Sequence, residues 1–277
     1  LPIFIDAAYP DFSGEYQLAY NVEAVSHDDS PFNENVFINA HTGKLINHFS
    51  NIHVHNSPGV VKTRYYGEQN VTIDSLASDE YYLRDFSRGD GVITLDGDLD
   101  VYQNNSKYWD LENENQDEVA GDLHYCASSF YDMMNDHFDW SGIDGNGGEL
   151  ITVAHAGGKF LVNAYWDGVR ARFGNGDCDR YSPLTTLDIV GHEFAHGLTD
   201  YTSDLVYRNE SGALNESMSD IFGKALEYYY DNTNFNWLIG DRIRLNEDIN
   251  VIRSMEDPTV RNDAKFYKGD FWWTSTG

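Results

Sequence analysis

The chain has 277 residues, of which 41% are hydrophobic and 14% aromatic, a composition typical of folded domains. This length permits two domains, each with its own core. Because the chain has 46 acidic residues and only 18 basic ones, its formal net charge is -28, and we expect it to repel nucleic acid and anionic membranes. The acidity indicates high solubility, bound calcium, or both.

Localisation is inferred from features at the start of the chain and from its hydropathy. No apolar run is long enough to span a bilayer, and no signal peptide is visible. The chain starts at Leu1 without a methionine, so we expect that an upstream segment has been removed. In a secreted chain Cys126 and Cys178 could form a disulfide, and two free buried thiols are the alternative.

Residues 1–55 have the pattern of a small β-rich unit. Apolar residues nearly alternate from Tyr16 to Val25, and a Gly-containing turn at His41–Lys44 separates two apolar runs. This order predicts a β-hairpin. A linker-like stretch containing Pro58 and Gly59 follows. Residues 60 to about 115 continue in β style, and a second hairpin is predicted from Leu150–Val153 and Lys159–Val162.

Three segments have helical periodicity. They cover residues 116–138, 186–199 and 213–230, and the first carries apolar residues spaced three or four apart. An acidic turn at residues 96–100 resembles the start of an EF-hand loop. Lys107 stands where that loop needs its twelfth-position glutamate, so no calcium site is predicted there.

The motif His192-Glu193-Phe194-Ala195-His196 lies in the second predicted helix. Residues four apart share a helix face, so both imidazoles can bind one zinc ion. Glu193 can then take a proton from a zinc-bound water. Glu216, near the start of the next helix, is the best candidate for a third ligand, and Asp220 can accept a hydrogen bond from a ligand histidine. The alternative is an ordinary buried polar cluster.

The segment from Leu187 to Gly223, LDIVGHEFAHGLTDYTSDLVYRNESGALNESMSDIFG, closely resembles the thermolysin family of zinc metallopeptidases. Further landmarks of the resemblance are residues 82–85, 163–166 and 253–255. The resemblance implies an α+β fold with a β-rich lobe at 56–185 and a helical lobe beginning at 186–277. It places the zinc site in the cleft between the lobes.

The resemblance also implies a secreted endopeptidase with protein and peptide substrates. By position, the zinc ligands are matched by His192, His196 and Glu216, and the general base is matched by Glu193. Asn215 and Asp220 match the residues that hydrogen-bond the two histidines. Tyr207 matches a group that stabilises the oxyanion. Asn163 and Ala164 match the edge-strand positions that hold the substrate backbone. Arg253 matches the arginine of the primed-side pocket, which Leu184, Ile189, Ile239 and Ile252 would line. An apolar lining favours cleavage before a bulky hydrophobic residue.

A structural calcium ion is a further implication of the resemblance. Asp188, Glu227 and Asp241 match carboxylates of the family's paired calcium site, and Asn236 retains a carbonyl oxygen. Leu238 cannot ligate, so we expect one calcium ion there and not two.

Residues 1–55 resemble the end of the family's pro-segment, which assists folding and blocks the cleft until it is removed, with a cut expected between about Asn51 and Val60. A permanent accessory β-domain is the alternative. The family continues beyond the position of Gly277 with a histidine that stabilises the oxyanion, so this chain is expected to be incomplete and to catalyse poorly. An inactive binding protein and a calcium-stabilised structural module remain rival functions.

Overall fold

The computed structural model describes residues 2–6, 16–26, 32–50, 55–109, 117–158, 160–233, 235–244 and 251–272. The chain divides into two compact units, Leu1–His55 and Asn56–Gly277. This boundary falls where the first β-rich segment ends in the sequence. Part of the expected cleavage region, residues 51–54, lies outside the described residues.

The first unit contains an antiparallel sheet of four described strands, in the order β1-β2-β3-β4: β1 (Pro2–Asp6), β2 (Tyr16–Ser26), β3 (Phe32–Asn39) and β4 (Leu45–Ser50). The predicted hairpin is confirmed, since β3 pairs with β4. In its turn, the side-chain oxygen of Asn39 accepts the backbone N–H groups of His41 and Thr42, and Gly43 adopts a φ of 68°. Ala19 and Phe37 form a small core.

The second unit contains fourteen described strands and three α-helices. Its strands are β5 (Asn56–Lys62), β6 (Glu68–Ala77), β7 (Glu80–Tyr82), β8 (Arg84–Asp85), β9 (Val92–Leu95), β10 (Gln103–Asn104), β11 (Tyr108–Trp109), β12 (Ser141–Gly142), β13 (Asn146–Gly148), β14 (Leu150–Val153), β15 (Ala164–Trp166), β16 (Ala171–Phe173), β17 (Leu238–Ile239) and β18 (Arg253–Ser254). The larger sheets have the orders β10-β7-β6-β5-β11 and β15-β16-β14-β9-β8.

The hairpin predicted at residues 150–162 is wrong. β14 pairs in parallel with β9 on one side and with β16 on the other, so both of its edges are already occupied. Residues 160–162 therefore cannot pair with β14 and run as a loop, in which Phe160 is exposed. The carbonyl of Leu161 instead accepts the N–H of Gly176 at 2.9 Å.

The helices are α1 (Glu118–Phe138), α2 (Leu187–Tyr201) and α3 (Asn209–Tyr230), with a 3₁₀ turn at Pro258–Arg261. The ring of Phe130 on α1 stacks on Phe194 of α2, with ring centroids 5.3 Å apart. α3 begins four residues earlier than predicted. The Ser211 hydroxyl stabilises this extra turn by sharing its one hydrogen between the carbonyls of Val206 at 2.6 Å and Arg208 at 2.8 Å.

Two glycines allow α2 and α3 to pack closely. The Cα of Gly223 lies 3.0 Å from where a Cβ on Gly191 would stand. A Cβ on Gly223 would stand only 2.2 Å from the carbonyl oxygen of Asp188, so this crossing requires glycine. The close approach packs the second half of α3 against the first half of α2.

The arrangement confirms the predicted α+β fold, with a sheet-rich first part and a helical second part. The disulfide is not formed: Cys126 is buried on α1, Cys178 is exposed in a loop, and both are free. Among the described residues, no helix combines the length and the apolar character that crossing a membrane requires.

Candidate active site

His192, Glu193 and His196 of the HEFAH motif line a cleft of about 2010 Å³, whereas Phe194 and Ala195 are buried on the other side of α2. The Nε2 atoms of His192 and His196 are 3.1 Å apart, as the four-residue helical spacing predicts. The start of this helix is fixed by Tyr66, whose buried hydroxyl accepts the N–H of Leu187 at 2.8 Å.

The third predicted ligand reaches the same point from α3. One carboxylate oxygen of Glu216 lies 3.5 Å from Nε2 of His192, and the other lies 3.5 Å from Nε2 of His196. The three donor atoms fall within 4.8 Å of one another, the only such set of three or more His, Cys, Asp or Glu residues in the described part of the chain.

The hydrogen bonds behind the histidines test whether this set suits zinc. The Nδ1 of His192 donates to Asp220 at 2.8 Å, and the Nδ1 of His196 donates to Asn215 at 2.6 Å. A neutral imidazole that carries its proton on Nδ1 leaves the lone pair of Nε2 free for a metal. Two imidazole nitrogens and one carboxylate are a typical ligand set of catalytic zinc, so the residues fit the ion.

Glu193 is buried next to the histidine pair and also lines the cleft, with only 6% of its surface exposed. Burial raises the pKa of its carboxyl to about 7, against the opposing effect of His192. A carboxyl group in this position exchanges a proton more readily near neutral pH than an exposed one does.

Tyr207 and Arg253 approach the cluster from two other sides. The hydroxyl of Tyr207 donates to Glu216, and its ring lies edge-on to His196 with centroids 5.8 Å apart. Arg253 donates to both carboxylate oxygens of Asp220, at 2.7 and 2.8 Å. It therefore fixes the carboxylate that in turn orients His192.

The residues predicted to bind substrate all line the same cleft. These are Asn163, Ala164, Leu184, Ile189, Ile239, Ile252 and Arg253. Ala164 begins β15, the last strand of its sheet in the described residues, which pairs on one side with β16. Leu184, Ile189 and Ile239 are almost fully buried and give this part of the cleft an apolar wall.

The residues predicted to bind calcium do not form a metal site. The carboxylate of Asp188 already accepts three hydrogen bonds. The donors are the hydroxyl of Thr186 and the backbone N–H groups of Ile189 and Gly240. Asn236 donates to Asp241 at 2.7 Å, so its amide nitrogen is the atom that faces this carboxylate. Glu227 accepts from the ammonium group of Lys224. A cation of the protein itself thus lies where the calcium ion was expected, and the arrangement does not fit the metal.

Two contributors to the site were missed from the sequence. The Ser219 hydroxyl lies 3.2 Å from Nδ1 of His196, and the Trp166 indole donates to Asp200 at 2.8 Å, which attaches β15 to the end of α2. Ser219 lies four residues after Asn215, a helical spacing that could have been recognised. The contact of Trp166 with Asp200 depends on tertiary packing, and no local pattern indicates it.

Comparisons with known proteins agree with this geometry. Residues 59–200 match the family model of the thermolysin metallopeptidase catalytic domain, and residues 203–276 match that of its alpha-helical domain. A thermostable neutral protease of Geobacillus stearothermophilus is 35% identical over 277 residues, which cover 94% of this chain and 50% of the relative. A bacillolysin of Bacillus cereus is 34% identical over 284 residues, with coverages of 91% and 50%.

Among solved structures, the precursor of protealysin from Serratia proteamaculans matches with a TM-score of 0.52 and 30% identity, over 60% of this chain and 53% of that one. The chain spans about half the length of the curated relatives it matches. Since the two family models together cover most of the sequence and meet at the cluster of His192, His196 and Glu216, the chain belongs to the thermolysin family of metallopeptidases.

Proposed function

We propose that this chain carries the catalytic site of a secreted zinc-dependent endopeptidase that hydrolyses internal peptide bonds. The observation that carries the proposal is the convergence of two imidazole nitrogens and a carboxylate within 4.8 Å, beside a buried glutamate and at the wall of a cleft. His192, His196 and Glu216 would hold the zinc ion. When bound, the ion supplies Lewis-acid chemistry, which polarises a peptide carbonyl and lowers the pKa of water.

In this proposal, Glu193 transfers protons. It removes a proton from the attacking water and passes that proton to the amine that leaves when the peptide bond breaks. Tyr207 donates a hydrogen bond to the oxygen that becomes negatively charged in the tetrahedral intermediate. Its support is the position of its hydroxyl, which contacts Glu216 and so points into the cluster.

The substrate would bind as an extended strand along β15, with Asn163 and Ala164 contacting its backbone. Arg253 would orient the residue that follows the cleaved bond. The buried side chains of Leu184, Ile189 and Ile239, together with Ile252, support a preference for a bulky hydrophobic residue there. An apolar pocket discriminates between similar side chains only weakly, so the preference would be broad.

We propose that residues 1–55 are the end of a pro-segment that assists folding and inhibits the enzyme until it is cleaved. The division of the chain at His55 and the likeness to the precursor of protealysin support this proposal. The peptidase would then comprise a β-rich lobe at 56–185 and a helical lobe that begins at 186.

The test is peptide cleavage by the purified protein. An internally quenched peptide with leucine after the scissile bond should be cleaved at least about tenfold faster than one with glycine. Glu193→Gln should keep zinc and lose nearly all turnover, whereas Glu68→Gln, an exposed glutamate on β6, should behave like the wild type. Near-native turnover in Glu193→Gln would refute the role of the base.

A further inference from the structure

A buried lysine lies at the junction of α3 with the segment 235–241. Lys224 is only 1% exposed, although lysine side chains are almost never fully buried unless they are paired. Its ammonium donates to the carboxylate of Glu227 and, at 3.1 Å, to the carbonyl of Leu238. The ring of Phe235 covers it, with its centroid 5.1 Å from the nitrogen.

Acidic groups surround this ammonium. Glu227 is 2% exposed and Asp188 is 3% exposed, so neither carboxylate is well solvated. Burial lowers the pKa of Lys224, while the negative charges of Asp188 and Asp241 oppose that shift. Arg242 adds a second positive group, 3.6 Å from Glu227.

These acidic groups are the ones that the family resemblance assigns to calcium. A calcium ion needs six to eight oxygen ligands at about 2.3–2.6 Å, all directed toward one point. In this structure the ammonium of Lys224 contacts one carboxylate that such an ion would need, that of Glu227, and also the backbone carbonyl of Leu238. A dication at the same place would be repelled by the ammonium.

We propose that the ammonium group of Lys224 replaces a structural calcium ion, so that a buried ammonium–carboxylate cluster joins α2, α3 and the segment 235–241 without metal. The cluster supplies what the ion would supply: positive charge among carboxylates and a link between α3 and β17. Asp188 completes the link from α2, since it accepts the N–H of Gly240 at 2.8 Å. The stability of this region is therefore independent of calcium.

The test is to remove the ammonium group of Lys224 by mutation and to ask whether added calcium can replace it. Lys224→Ala removes the charge and leaves room for an ion, whereas Lys224→Met removes the charge but keeps the volume of the stem. Thermal unfolding is measured in calcium-free buffer with zinc present, then with millimolar CaCl₂, with MgCl₂ as the ionic control. The exposed Lys62→Ala is the matched lysine control.

In the wild type and in Lys62→Ala, CaCl₂ should not raise Tm above the value in MgCl₂. Both Lys224 variants should lose roughly 6–20 °C in Tm without calcium, because buried carboxylates are left uncompensated. Calcium should restore Tm in Lys224→Ala and not in Lys224→Met. If Lys224→Ala folds only with calcium, the yield of refolding against CaCl₂ and MgCl₂ gives the same comparison.

Three results would overturn the proposal. The first is a wild-type Tm that rises with calcium and loses that response in Asp241→Asn, which would show a metal bound at this junction. The second is Lys224→Ala with wild-type stability and no response to calcium. The third is failure of Lys224→Ala to fold at every calcium concentration, which would show that the ion cannot substitute for the ammonium.

Discussion

The contact between α2 and α3 predicts that Gly223→Ala will separate the proposed zinc ligands. In an open helix, replacing glycine by alanine stabilises the protein by about 1 kcal/mol, because alanine has the higher helix propensity. At Gly223 the new Cβ would stand 2.2 Å from the carbonyl of Asp188 and 3.2 Å from the N–H of His192. Ordinary contact begins at 3.4 Å, so the helices would have to move apart by about 1.2 Å.

Such a movement is large for a metal site, where ligand distances must be correct to about 0.2 Å. We expect Gly223→Ala to lose about 1–3 kcal/mol in the free energy of unfolding and to bind zinc at least about tenfold more weakly. Urea unfolding and competition with a chromogenic chelator measure the two effects, with the exposed Ile221→Ala on the same helix as control. A stabilised variant with unchanged zinc affinity would refute the helix-crossing argument.

Further variants test the surroundings of the site and two pH-dependent groups. Asp220→Ala, measured by chelator competition, should weaken zinc binding about 10–100-fold, since His192 loses the acceptor that orients it; unchanged affinity would contradict that role. The hydrogen bond to Asp117 raises the pKa of His155, so this pair stabilises the fold below about pH 6.5 and loses effect as the pH rises through the raised value. His155→Gln should therefore lower the free energy of unfolding, measured in urea, by about 0.5–1 kcal/mol more near pH 5.5 than near pH 9. A loss that does not change with pH would contradict the stabilising role of the pair of His155 and Asp117. Burial raises the pKa of Asp122 to about 8, so its ionisation destabilises the fold as the pH rises from about 4 toward 8. Asp122→Asn should gain stability relative to the wild type between about pH 5 and pH 8, and a relative loss over that range would refute the shift.

Local patterns were sufficient for the features that depend on spacing along the chain. The four-residue interval of the histidines determines their shared helix face, and the apolar spacing of α1 determines its buried face. The hairpin of β3 and β4 was also predictable, because the glycine turn and the two strands are contiguous. In each case, the interacting groups are close in sequence.

Features set by distant parts of the chain could not be predicted in the same way. Whether β14 forms a hairpin depends on β9 and β16, which occupy both of its edges. A lysine in a helix normally indicates an exposed position. Lys224 is buried instead, because the distant segment 235–241 covers it, and the sequence around Lys224 does not reveal this. Its partner Glu227 lies three residues away, so their pairing could have been proposed, but their common burial could not.

The most direct measurement for the central claim is the metal content of the extensively dialysed protein by elemental mass spectrometry, with unfolding followed in parallel. The proposed site predicts about one zinc ion per chain in the wild type and in Glu193→Gln, and none in a folded Glu216→Ala. A folded wild-type protein without zinc, or a Glu216→Ala variant that retains the full complement, would contradict the assignment of His192, His196 and Glu216 as the zinc site.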